Sequence, residues 1–125
     1  MNDSNERDEK PEERARWVEN RRQFVIDTAT APPNEAIPFL FAVHEVWKWL
    51  FAMKELKARV ADADFQLLAS VVHECREFPL STERQYWAPE SLRQKDVIAR
   101  GIEKRARKDV LTTFSRIAND LKEPL

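Results

Sequence analysis

Gly101 is the only glycine in this chain of 125 residues, and that scarcity limits what the backbone can do. Tight hairpin turns, phosphate-cradling loops and dinucleotide-binding fingerprints all need glycine where the backbone takes a positive φ or approaches a ligand closely. No stretch alternates between apolar and polar residues for long enough to predict a strand. The sequence therefore predicts an all-α fold, and it argues against nucleotide-dependent catalysis by the familiar routes.

Apolar periodicity and helix-breaking prolines predict a compact four- to five-helix bundle. The predicted helices span 11–27, about 35–60, 63–77 and about 89–121, with one short helical turn after Ser81. The first should bury Trp17, Val18, Phe24 and Val25. The core stripe of the last is predicted to contain Ile98, Ile102, Ala106, Val110, Phe114, Ile117 and Leu121. Residues 1–10 are predicted to form a disordered acidic tail, and residues 11–125 a single helical domain.

The central segment from 36 to 53 is apolar around most of its circumference. His44, Glu45 and Lys48 lie near its middle, where charges in hydrocarbon are costly, so the sequence predicts a buried helix and no membrane span. Such a helix must be covered on most sides, either by the other helices or by a second copy of the protein or another partner. The sequence favours a homodimer. The candidate interface residues are Phe39, Trp47, Phe51, Tyr86 and Trp87.

The last predicted helix is basic, because residues 93–116 hold eight bases and three acids. Five cations fall on one side of this helix and are candidates for contact with nucleic acid or another anionic partner. They are Arg93, Arg100, Lys104, Arg107 and Lys108. Two alternatives remain open. The cations can form a solvated face that pairs locally with Glu103 and Asp109, or the acidic tail can fold back and screen them.

Two His–Glu pairs, at 44–45 and 73–74, are the chain's nearest approach to a catalytic or metal-binding pattern. Neither has the spacing of a known metal motif, and nothing local brings the two pairs together. Cys75 is expected to be a buried apolar residue. We therefore expect no enzyme activity, no metal and no cofactor. The polar N-terminus lacks the features of a targeting peptide, which predicts a cytoplasmic protein.

These features together predict a function based on binding. The first hypothesis is a non-enzymatic helical interaction or regulatory protein that binds another protein and forms a homodimer. The alternative is a nucleic-acid-binding small subunit of a nucleoprotein complex that uses the basic C-terminal helix.

Overall fold

The computed structural model describes residues 10–124, and all regular structure in that range is helical. The α-helices are α1 (Pro11–Thr30), α2 (Ala36–Ala52), α3 (Lys54–Lys57), α4 (Asp62–Glu74) and α5 (Pro89–Leu121). A 3₁₀ helix (Thr82–Tyr86) connects α4 to α5. The prediction of an all-α bundle is confirmed. Nine residues of the predicted acidic tail lie outside the described residues.

Proline sets several of the helix boundaries. Both α1 and α5 begin with a proline, whose missing N–H would have no partner in a first turn. Helix α5 has the limits that the sequence predicts. Helix α1 runs three residues beyond its predicted end, because the backbone stays helical until Ala31, directly before the paired prolines.

The predicted central helix is interrupted. Helix α2 ends at Ala52, Met53 takes an extended conformation, and the short α3 follows. The prediction of one helix over 35–60 is therefore wrong at Met53. On either side of the interruption, the side chains of Met53, Leu56 and Val60 lie in the core, where they are nearly inaccessible to solvent.

Helix α2 is the centre of the bundle and contacts α1, α4 and α5. Its buried side is formed by Phe39, Leu40, Val43, Val46 and Leu50. Phe39 packs against Phe114 of α5 with ring centroids 6.3 Å apart. Buried side chains from all five α-helices belong to one contiguous hydrophobic cluster. Among residues 10–124, no helix is long and apolar enough to cross a lipid bilayer.

Three residues predicted in the core are exposed in the structure. Trp17 and Phe24 are 42% and 39% exposed, because α1 turns Val18 and Val25 inward and leaves these two rings at the border of the buried face. Ile98 is 53% exposed. Helix α5 packs through the adjacent Ala99, so Ile98 projects outside the stripe that continues at Ile102.

Polar contacts between distant segments fix the helices relative to one another. The carboxylate of Asp64, buried at the start of α4, accepts hydrogen bonds from Thr113 and Arg116 of α5. Arg84 of the 3₁₀ helix binds Asp96 of α5 through two hydrogen bonds. These contacts fix where α4 and the 3₁₀ helix lie against α5.

Candidate interaction surfaces

Four aromatic side chains follow one side of α2. They are Phe41, His44, Trp47 and Phe51, and we call them the aromatic ridge. Their spacing of three or four residues places each ring beside the next. The ring centroids are 6.4 Å apart for Phe41 and His44, 5.9 Å for His44 and Trp47, and 5.3 Å for Trp47 and Phe51. The ridge is therefore a continuous row of contacting rings.

Exposure rises toward the C-terminal end of the aromatic ridge. Trp47 is half-buried against the core, whereas Phe51 is 66% exposed. Lys48 borders the ridge, and its ammonium lies 3.1 Å from the carboxylate of Glu45. The positive charge beside the rings is therefore compensated within the chain.

Helix α1 extends this apolar surface on one side. Phe24 and Phe41 both line a shallow groove of about 430 Å³ between α1 and α2, whose lining also includes the carboxylates of Asp27 and Glu45. Farther along α1, Trp17 meets Trp49 edge to face at 6.4 Å. The groove and the ridge share Phe41, so the two surfaces are contiguous.

A second cleft lies on the other side of the aromatic ridge. It has a volume of about 270 Å³, and Phe41 and His44 are among the residues that line it. Val72, Cys75 and Leu80 contribute to its apolar lining. Burial raises the pKa of the Cys75 thiol to about 11, with a smaller contribution from the charge of Glu74. The thiol is therefore protonated at neutral pH and is a poor nucleophile.

The structure separates the predicted interface residues into three groups. Phe39 is fully buried between α2 and α5, so its assignment to an interface is wrong. Trp47 and Phe51 are in contact on the aromatic ridge. Tyr86 is 83% exposed and Trp87 is half-buried. Both follow Arg84, which lines a cleft together with Pro38 at the N-terminal end of α2. They lie at the opposite end of α2 from Phe51.

Sequence reasoning missed Phe24, Phe41 and His44 as parts of this surface. A signal was present for two of them, because residues 41, 44, 47 and 51 have the spacing of one helix face. Phe24 could not be identified in the same way. Its exposure depends on how α1 is rotated against α2, which tertiary packing determines.

Two of the five predicted cations of α5 are already engaged in contacts within the chain. Arg93 pairs with Glu90 at 2.7 Å. Arg107 pairs with Glu103, donates a hydrogen bond to the carbonyl oxygen of Asn34 at 2.6 Å, and stacks over the Phe39 ring at 4.1 Å. Arg107 is thus a structural residue that joins α5 to the start of α2.

The other three cations, Arg100, Lys104 and Lys108, are exposed on one face of α5, and we call them the basic ridge. Within the described part of the chain, none of them has an ion-pair partner within 4.0 Å. The positive charge of this ridge acts on a nearby carboxylate, that of Asp96. Its pKa is lowered mainly by the hydrogen bonds from Arg84 and to a smaller extent by the charge of Arg100.

The two His–Glu pairs do not form a joint site. His44 lies beside its own neighbour Glu45, with Nδ1 3.6 Å from the carboxylate. His73 contacts Arg76 at 3.1 Å through Nε2. Between residues 10 and 124, no group of three or more His, Cys, Asp or Glu side chains is arranged to hold a metal ion.

Comparison with protein families, with curated proteins and with solved structures found no match for this chain. The two surfaces described above are therefore the basis for assigning a function.

Proposed function

We propose that this chain is a non-enzymatic interaction protein that pairs with a second copy of itself through the aromatic ridge. The exposed ring of Phe51, in contact with Trp47 at the end of a row of four aromatic side chains, is the observation that carries this proposal. Phenylalanine and tryptophan are enriched where protein surfaces pair. The groove beside Phe24 and Phe41 continues the same surface onto α1.

The charge pattern of the aromatic ridge suits self-pairing. Two identical surfaces meet in a symmetric dimer, so any uncompensated charge near the axis would face its own copy and repel it. The charged residues bordering the ridge, Glu45 and Lys48, neutralise each other at 3.1 Å. A second copy can therefore approach without like-charge repulsion from this pair.

The free energy of burial indicates how much of the aromatic ridge a stable dimer must cover. Burying a phenylalanine side chain contributes about 2 kcal/mol, so Phe51 from both copies contributes about 4 kcal/mol. A micromolar dissociation constant corresponds to about 8 kcal/mol. Pairing through Phe51 alone is therefore too weak, so a micromolar dimer would also bury further rings of the aromatic ridge, namely Trp47 and Phe41.

Mass in solution tests this proposal. Light scattering coupled to size exclusion should give a dimer for the wild-type chain at both low and high salt, because the proposed contact is apolar. Phe51→Glu should give a folded monomer. Tyr86→Glu is the matched control, since Tyr86 is even more exposed but lies off the aromatic ridge. A wild-type monomer at roughly 100 μM, well above micromolar affinity, would refute the proposal; a Phe51→Glu dimer would exclude this surface.

We infer a second candidate function, binding of nucleic acid through α5. It is favoured by the three cations of the basic ridge, which project from one exposed face without partners among residues 10–124. Nucleic acid that co-elutes with the protein at low salt and separates at high salt would support this function. Clean protein absorbance at low salt, together with no binding to added nucleic acid, would refute it.

A further inference from the structure

We propose that the basic ridge binds the phosphate backbone of double-helical nucleic acid, with Arg100, Lys104 and Lys108 as the contacting residues. This inference rests on the second function proposed above and makes it more specific. It names a duplex as the ligand, and it removes Arg93 and Arg107 from the five cations of the predicted site, because their ion pairs lie within the chain.

The phosphates of a duplex are more closely spaced than the cations of the basic ridge. Successive members are four residues apart, so Arg100 and Lys108 lie about 12 Å apart along the helix axis. A duplex carries one phosphate charge per 1.7 Å of its axis, or about seven charges over the same length. Each cation therefore has a phosphate within reach in many relative orientations. The ridge carries no element for reading bases, which predicts binding without sequence preference.

The surroundings of the basic ridge favour a duplex over a single strand. Proteins that bind single strands without sequence preference stack the bases on aromatic side chains. The one aromatic residue of α5, Phe114, is fully buried. Tyr86 is exposed, but it precedes α5, and the first residue of α5 lies about 16 Å before Arg100. The exposed apolar residues on the face of the ridge, Val97 and Leu111, offer no stacking surface.

A lipid surface is a poorer ligand for this helix. An interfacial helix inserts its apolar face between lipid headgroups while its basic residues meet the anionic lipids. The apolar face of α5 is already covered by the core, where Val110, Phe114 and Ile117 are fully buried. Attraction to a membrane would depend on charge alone, without the apolar contribution that such helices use.

The predicted alternative, in which the acidic tail folds back and screens the basic helix, falls largely on residues 1–9, which lie outside the described residues.

Fluorescence anisotropy with a labelled short duplex tests the proposal on the full-length chain. For three phosphate contacts, log K against log salt should have a slope of about −2.7, so raising salt from 50 to 150 mM should weaken binding about 20-fold. The triple variant Arg100→Gln, Lys104→Gln, Lys108→Gln should lose this binding. The control Arg16→Gln, Lys54→Gln, Lys122→Gln removes equal charge from exposed positions elsewhere and should bind within a few-fold of the wild-type chain.

Each alternative outcome has a distinct meaning. Equal or tighter binding of a single strand of the same length would overturn the duplex assignment and leave the second function standing. Equal binding to polyglutamate or to phosphatidylserine vesicles would overturn the choice of nucleic acid. A control variant as weak as the triple variant would exclude the basic ridge. No binding to any of these polymers or vesicles would refute the second function as well. Circular dichroism of both variants verifies that they are folded.

Discussion

Arg22 of α1 donates a hydrogen bond to the carbonyl oxygen of Leu121, at the last residue of α5, with 2.5 Å between Nη1 and the oxygen. The guanidinium is almost fully buried, and the Glu19 carboxylate binds it from the same helix. The hydrogen bond to the Glu19 carboxylate raises the pKa of Arg22, so the group stays charged. The terminal carbonyl groups of a helix have no partner within the helix. Arg22 supplies one for α5 and joins the C-terminal end of that helix to the middle of α1.

Replacing Arg22 by alanine should lower the free energy of unfolding by about 2 kcal/mol, because a buried charge-assisted hydrogen bond is lost and a carbonyl is left unpaired. Guanidinium unfolding followed by circular dichroism measures the change. Arg16→Ala is the control on an exposed position of the same helix and should change stability by no more than about 0.5 kcal/mol. Equal effects of the two substitutions would contradict a structural role for Arg22.

The Arg84–Asp96 pair predicts a pH dependence. Hydrogen bonds from Arg84 hold the pKa of Asp96 below its ordinary value of about 3.9. The pair therefore stabilises the fold fully above that ordinary pKa, and the contribution is lost as the pH falls through the lowered pKa of the folded state. Asp96→Asn should lower the free energy of unfolding by about 1 kcal/mol at pH 7.

Unfolding measured at pH 7 and at several values between about 2 and 4 checks this prediction. The difference between wild type and Asp96→Asn should shrink across the acid range. Asp109→Asn, at an exposed position of the same helix, is the control and should change the free energy of unfolding at pH 7 by no more than about 0.5 kcal/mol. A difference that stays constant down to the lowest pH would show that the Asp96 charge is not responsible.

The thiol of Cys75 should be unreactive in the folded protein. With its pKa raised to about 11 by burial, about one thiol in a thousand is ionised near pH 8, and the sulfur is covered by the core. Ellman's reagent should therefore react slowly with the native chain and rapidly with the same sample in guanidinium. Fast stoichiometric reaction without denaturant would show that the cleft lined by Cys75 opens in solution.

Gly101→Ala should stabilise the chain. Gly101 lies inside α5 with a negative φ, and an added Cβ would meet Arg105 Nη1 at 3.7 Å, an ordinary contact. Alanine is about 1 kcal/mol more favourable than glycine in a helix interior. Thermal melting should give a higher Tm for this variant. Ala106→Gly, in the same helix, should lower the Tm and serves as the reverse control. A lower Tm for Gly101→Ala would indicate that the backbone needs glycine there.

Local signals explain which helices could be predicted. Pro89 and the apolar periodicity after it define α5, since both signals lie in the residues of the segment itself. The interruption at Met53 has no such signal, because no proline or glycine lies near it. It depends instead on contacts that Met53 and Leu56 make with residues distant in sequence, within the shared hydrophobic core.

The candidate surfaces were predictable to a similar extent. Arg100, Lys104 and Lys108 follow from helical spacing alone. That Arg107 is engaged elsewhere depends on Asn34 and Phe39, which are distant in sequence and come close only in the folded chain. Phe39 lies on the inner side of α2 for a similar reason. The ring of Phe114, which covers it, lies 75 positions further along the sequence.

Phe39 and Phe114 join the inner sides of α2 and α5, with ring centroids 6.3 Å apart. The aromatic ridge and the basic ridge therefore belong to two different helices that share one core. A dimer formed through α2 would carry two basic ridges, one from each copy. Such a dimer would be bivalent, and its avidity would depend on how closely its two binding sites on nucleic acid are held together.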